Sequence, residues 1–189
     1  MKRLHPSYPG STRASLVERG FTLVELLVTV LVLSILLALA VPSFRSFMQN
    51  DTQWVLQNSL VLALNAARSE AIKQDSIGGV QVCASSDGAT CNGANWGQGW
   101  IVLNAAAPAA QQVLQSVGAI PANNTLTEAG GNLSVTFFSN GTVNGAVAFR
   151  FCDIRGATQA RYLQVNAMGR VAVSPTVGQD LTGAALVCP

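Results

Sequence analysis

Gly20-Phe21-Thr22-Leu23-Val24-Glu25 opens the stretch that decides how the rest of the chain is read. From Leu26 to Phe44 there follow 19 residues without an Asp, Glu, Lys, Arg or His. At about 1.5 Å per helical residue this run reaches roughly 28 Å, about the hydrocarbon thickness of a bilayer, so a helix here spans a membrane once. One carboxylate, Glu25, stands at its start. An ionisable group at membrane depth is costly, on the order of 3 kcal/mol when central, so Glu25 needs a partner and is a functional candidate. Lys2, Arg3, Arg13 and Arg19 precede the run against one acid, Glu18. That excess places the amino terminus in the cytoplasm and the chain beyond the run on the far side.

Two other readings meet these residues less well. Ala38-Leu39-Ala40 fits the cleavage pattern of a secretory signal peptide, but the apolar run is longer than the roughly 7–15 residues of such a peptide and carries a Glu. An uncleaved signal anchor has no need of Gly-Phe-Thr-Leu-Val-Glu. Gly20 to Leu27 resembles the processing and assembly signal of the type IV pilin superfamily, which includes the pseudopilins of type II secretion. The resemblance implies that a prepilin peptidase cuts after Gly20 and N-methylates Phe21. It also implies that Glu25 docks on the terminal amine of a neighbouring subunit. A buried pair of that kind adds little net stability but fixes the register of packing.

The remaining composition is weakly charged, with 11% Asp, Glu, Lys and Arg. Without the first twenty residues the chain has seven basic and eight acidic side chains, a net charge of −1, which gives no wholesale attraction to nucleic acid. The only histidine, His5, lies in the leader. No Gly-x-Ser-x-Gly, phosphate loop or paired carboxylates appear, so the sequence reads as a non-enzyme without cofactor or metal. Cys83, Cys91, Cys152 and Cys188 all fall on the far side of the membrane, where an even number favours two disulfides. Three pairings are open. The preferred one joins Cys83 to Cys91 across a short Gly-containing loop and Cys152 to Cys188, tying down the carboxyl terminus.

Leu56, Leu60, Ala63, Leu64, Ala67 and Ala71 form a helical stripe beyond the membrane run, with Gln57, Asn58, Asn65, Arg68 and Ser69 on the remaining face. Pro42 predicts a kink or loosening near 38–41. Gln74-Asp75-Ser76 and then Gly78-Gly79 end the helix. Strands are predicted over 79–84, 100–104, 112–117, 133–138, 147–152, 161–166 and 170–173, separated by turns at Asp87-Gly88, Gly130-Gly131, Asn140-Gly141, Asn144-Gly145 and Met168-Gly169. Ala105 to Ala110 reads as a mobile Ala/Pro loop. Arg68 and Glu70 read as a solvated helix face, and Trp96 and Trp100 as packing residues.

Leu64 to Ile72, Val82 to Gly88 and Trp96 to Val102 resemble, in that order, the GspH/FimT subfamily of minor pilins and pseudopilins (FimT/FimU type). The implied fold is α+β: a pilin fold with a long N-terminal transmembrane helix packed on a C-terminal antiparallel β domain. The implied division is a leader over 1–20, a transmembrane and filament-core helix over 21–44, its amphipathic continuation over 45–77 and an extracytoplasmic β-rich domain over 78–189. The implied function is that of a minor pilin at or near the tip of the type IV pilus that helps initiate assembly, or alternatively a type II secretion pseudopilin. Its partners are then the major pilin, other minor pilins, the prepilin peptidase and the inner-membrane assembly platform. The location is a single-pass inner-membrane protein with a periplasmic domain, extracellular once assembled.

A third reading is DNA binding during natural transformation. Arg150, Arg155, Arg161 and Arg170 face only Asp153 between positions 150 and 170, a local charge of +3. Phosphate backbones bind such patches by counterion release. Some FimT-type pilins bind DNA through a Gly-Arg-x-Arg motif, and Gly169-Arg170-Val171-Ala172 keeps its first Arg and lacks the second.

Overall fold

A computed structural model describes residues 20–74, 78–104, 106–108 and 112–189. Residues 1–19 of the expected leader, with its charges and His5, the predicted helix end at Asp75-Ser76, and Ala105, Ala109 and Ala110 of the Ala/Pro loop lie outside the described residues. The chain divides into two units, one ending at Phe44 and the other comprising Arg45–Pro189.

The longest element is α1, Leu23–Gln74. Thr22 starts it: its carbonyl accepts the Leu26 amide at 3.1 Å and its Oγ1 accepts the Glu25 amide at 3.2 Å, leaving fewer of the first-turn donors orphaned. In the first unit the apolar side chains of α1 are exposed throughout, and one 18-residue window has a mean hydropathy of 2.8 with none of it buried. This is the one described helix long and apolar enough to cross a membrane. Its hydroxyls are satisfied locally: Thr29 Oγ1 donates to Leu26 O at 2.8 Å and Ser34 Oγ to Leu31 O at 2.7 Å. That back-bonding is what an apolar surrounding demands of a polar side chain. α1 runs on through Pro42 as one continuous helix.

In the second unit α1 packs its stripe into the core. Leu60, Ala63, Leu64, Ala67 and Ala71 are fully buried, and small alanines allow the close approach of strands. Gln57 corrects the predicted polar face. It is buried, as is Gln53, and its Nε2 donates to Tyr162 O at 3.1 Å, so a polar side chain fastens helix to sheet where an apolar one would only pack.

Among the described residues, eight strands form two antiparallel four-stranded sheets. The first runs β3-β2-β1-β5, from β1 Val80–Ala84, β2 Trp100–Leu103, β3 Val113–Val117 and β5 Ser134–Phe137. The second runs β4-β6-β7-β8, from β4 Asn124–Glu128, β6 Val147–Asp153, β7 Arg161–Val165 and β8 Val171–Val173. Alternation sets the inner faces: Val80 and Val82 of β1, and Val147, Phe149 and Phe151 of β6, join the α1 stripe in one core. Trp96 and Trp100 are buried there, Trp96 meeting Phe149 edge to face at 4.9 Å. The fold is thus α+β, as the sequence indicates.

Strand β4 has no counterpart among the predicted strands. Its sequence, Asn-Thr-Leu-Thr-Glu, carries one apolar inward residue, Leu126, and its other buried position is Glu128. Glu128 is spent on architecture: Oε2 accepts the amides of Gly130 at 2.9 Å and Asn132 at 2.7 Å, closing the turn that follows.

Candidate functional site

The residues singled out by the sequence lie in two places. Gly20, Phe21 and Glu25 are exposed at the head of α1, Phe21 at 79%. Thr22-Leu23-Val24-Glu25 has the spacing of a capping box, with Glu25 three residues beyond the cap. Thr22 was not singled out by sequence reading, although the T-x-x-E spacing was there to find it. With its amide held by Thr22 the backbone of Glu25 is fixed, and its carboxylate emerges from the first helical turn into open surroundings. Anything offering a cation beside that turn meets a charge already positioned.

Of the four arginines of the second sheet, Arg150, Arg155 and Arg161 lie towards one end and Arg170 towards the other. On β6 and β7, Arg150 faces Tyr162 across the strands and Phe151 faces Arg161, which places Arg150 and Arg161 at one end of the sheet. Arg170 is exposed beyond the β7–β8 turn, and Arg161 to Asn166 alone spans roughly 17 Å of strand. Arg155 is neutralised: its Nη2 lies 2.6 Å from Asp153 Oδ2, and its Nη1 donates to Asn50 Oδ1 on α1 at 2.7 Å. Burial of Asp153 opposes ionisation, but the hydrogen bonds and charge of Arg155 outweigh it and hold the carboxyl below its usual value. Burial, and then the charge of Arg155, lower the pKa of Arg161. Arg150 is committed elsewhere: its Nη1 donates to Val187 O at 3.0 Å, while its Nε is buried without a hydrogen-bond partner.

Two disulfides brace the domain, one on a strand of each sheet. Cys83 on β1 joins Cys91, with Cα atoms 5.5 Å apart, around a loop gathered on Asp87. Asp87 accepts the backbone amides of Thr90 and Ala89, each at 2.8 Å, and those bonds hold its carboxyl far below the ordinary range. Cys152 on β6 joins Cys188, drawing residues 186–188 over the outer side of the sheet, where Leu186 packs on Ala160 and Tyr162. Burial, then the Asp180 carboxylate, raise the pKa of Tyr162, with Arg150 opposing.

Arg68 is the residue whose role the sequence concealed. It is half-buried rather than part of a solvated face: Nε donates to Gly141 O and Nη2 to Met168 O, each at 3.2 Å. Glu70, read with it as solvated, is also partly buried and lies 3.8 Å from Lys73. Gly169 has φ +72°, and a Cβ there would run into Gly141 O, so the Met168-Gly169 turn needs glycine. Among the described residues no three His, Cys, Asp or Glu side chains are grouped to hold a metal ion.

Comparison with known proteins places this geometry. A family model described as type II transport protein GspH matches residues 56–169, and one described as the prokaryotic N-terminal methylation motif matches residues 16–41. No curated protein matches. Among solved structures, the type IV minor pilin FimU of Pseudomonas aeruginosa is similar in two crystal forms. One matches at 24% identity and a TM-score of 0.54, covering 68% of this chain and 92% of that one. The other matches at 24% identity and 0.50, covering 62% and 89%. At that identity the likeness concerns the fold.

Proposed function

Because the chain belongs to the GspH family of type II transport proteins, we propose that it serves as a minor pilin of the type IV pilus, placed at or near the tip, where it helps initiate assembly. The observation that carries this reading is the head of α1. A capped helix presents Glu25 in its first turn, and behind it stands an apolar surface with none of its best membrane window buried. Such a surface has two physical uses, storage in a bilayer and burial against like helices, and a pilin needs both. Gly20 and Phe21 are the processing site, Glu25 is the docking charge, and the run to Phe44 is the membrane and filament segment. The partners are the major pilin, other minor pilins, the prepilin peptidase and the inner-membrane platform.

The test is Glu25→Val. Processing, read by amino-terminal sequencing, continues at Phe21, while incorporation into sheared filaments falls. Normal incorporation of the variant would remove Glu25 from assembly, and a mature chain starting at Val41 would turn the segment into a secretory signal. A second reading, a pseudopilin of type II secretion, is favoured by the description of the matching family itself. Neighbouring genes for a pilus or for a secretion apparatus separate the two.

A further inference from the structure

Each sheet of the second unit has two edge strands, and three of those four edges are protected. Along β5, Phe138 N–H donates to Thr142 O at 2.9 Å and Asn144 N–H to Thr136 O at 3.2 Å, so residues 142–144 cover it. The register of β3 against β2 shifts between Val102 and Leu103, the kind of irregularity that turns an edge away from partners. Edge strand β8 has only three residues. Strand β4 has five, in unbroken register with β6.

One bond fixes where the backbone of β4 points. Ala129 N–H donates to Ala148 O at 2.8 Å in the β4–β6 register, so Thr127 with Arg150 and Thr125 with Cys152 are the pairs that exchange hydrogen bonds. The N–H and C=O of Leu126 therefore point away from β6. Among the described residues no other element bonds to either, although Leu126 is only 3% exposed. Buried backbone groups are nearly always paired, so these two call for a partner from outside the fold. Leu126 lines two recesses, of about 420 and 190 Å3, which share Asn95 and Thr127. Thr127 Oγ1 is a further buried polar atom there without a hydrogen-bond partner. Gln98, Ile120 and Thr125 also line the larger recess, which has no charged side chain. The charged residue of the smaller one, Glu128, is spent on the amides of Gly130 and Asn132.

This chemistry selects the occupant. An N–H and a C=O side by side on one edge residue are what another strand pairs with, and strand addition satisfies both together. A charged side chain entering these recesses would meet no counter-ion, so the strand is uncharged. Because Leu126 lies at the floor of a recess, two whole copies of this edge cannot meet, whereas a slender segment without walls of its own can enter. We propose that the outer edge of β4 is a strand-addition site for an extended, uncharged segment of a partner protein. The proposal does not rest on α1 spanning a membrane or on the choice between pilus and secretion apparatus.

The test uses the full chain in detergent, extended after Pro189, which itself lines the larger recess. The extension is a Gly/Ser linker of about six residues, roughly 13 Å in reach, followed by the strand Thr-Val-Thr-Val-Thr. Tethering holds the strand at millimolar effective concentration, so even weak pairing is seen. Amide hydrogen exchange is read residue by residue by NMR. In the unextended chain the Leu126 amide exchanges about tenfold or more faster than that of Thr127, which is bonded to β6. The tethered strand slows Leu126 by about tenfold and Thr127 by much less. Proline in place of both valines of the strand returns Leu126 to its unextended rate and leaves the domain itself untouched. Ala119→Trp, which fills the larger recess from an exposed wall, does the same. Equal rates for Leu126 and Thr127 in the unextended chain would show the edge already paired and overturn the proposal. A Leu126 rate unmoved by the strand, or slowed as much by its proline version, would leave only a hydrated edge and overturn it too. Slowing of Leu126 on concentrating the unextended chain would assign the edge to a second copy instead.

Discussion

Replacing Arg68 by alanine isolates one side chain that holds two turns from different sheets. Nε reaches Gly141 O in the turn after β5, and Nη2 reaches Met168 O in the turn between β7 and β8, each at 3.2 Å. A hydrogen bond from a charged donor is worth about 1.5–3 kcal/mol when shielded. The bond to Gly141 is part-buried and the one to Met168 exposed, so the second is discounted for solvent, and the sum is about 2–3 kcal/mol. Lysine keeps the charge but has a single nitrogen, so Arg68→Lys is expected to lose about half of that. Denaturant unfolding of the full chain in detergent measures this, with buried Trp96 and Trp100 as fluorescent reporters. The midpoint should fall with the slope unchanged. Gly169→Ala strikes the same junction through its left-handed backbone, so the double variant should lose less than the sum of the singles. An Arg68→Ala protein within about 0.5 kcal/mol of the parent would refute the clamp.

Other predictions follow from the same geometry. Asp153 has its pKa lowered in the fold, so its contribution is present above the unfolded value of about 3.9 and is lost as the pH falls through the folded one. Denaturation at pH 6 and at acid pH should show that loss in the parent, whereas Asp153→Asn is weaker at pH 6 by about 1–2 kcal/mol and flatter towards acid. By loop-closure entropy, Cys152 with Cys188, separated by 36 residues, stabilises more than Cys83 with Cys91, separated by 8. Serine replacement of the first pair should cost about 1 kcal/mol more than of the second, and the reverse order in melting would discard that account. If the sheet binds DNA, mobility shifts should weaken steeply with salt and respond to Arg170→Ala more than to Arg155→Ala, because Arg155 is already paired with Asp153.

Legibility in the sequence followed the number of residues that share one physical signal. The apolar run and the Leu60 to Ala71 stripe repeat a single preference many times, and the structure buries the stripe in the core. Strand β4 escaped because one leucine among Asn, Thr and Glu leaves almost no alternation to read. Gln57 and Arg68 escaped for another reason. Each is polar at a position that looks solvated on a helical wheel, and each is satisfied by a carbonyl about a hundred residues away in sequence (Tyr162 and Met168) that no local pattern announces. The four arginines between positions 150 and 170 show the converse. Their nearness along the chain suggested a common patch, yet strand direction sets Arg170 at the far end of β7 from the other three, and Asp153 pairs with Arg155.

In the proposed role the chain would bear load in a fibre, and the Cys152–Cys188 bond then decides where tension enters it. Force applied near the last residues passes covalently to β6, which is flanked on both sides by β4 and β7, instead of travelling back through β8 at the rim. Peeling an outer strand breaks hydrogen bonds one after another, whereas loading an inner strand makes many resist together. Oxidation of that one cysteine pair therefore sets whether the carboxyl end behaves as a loose thread or as an anchored cable.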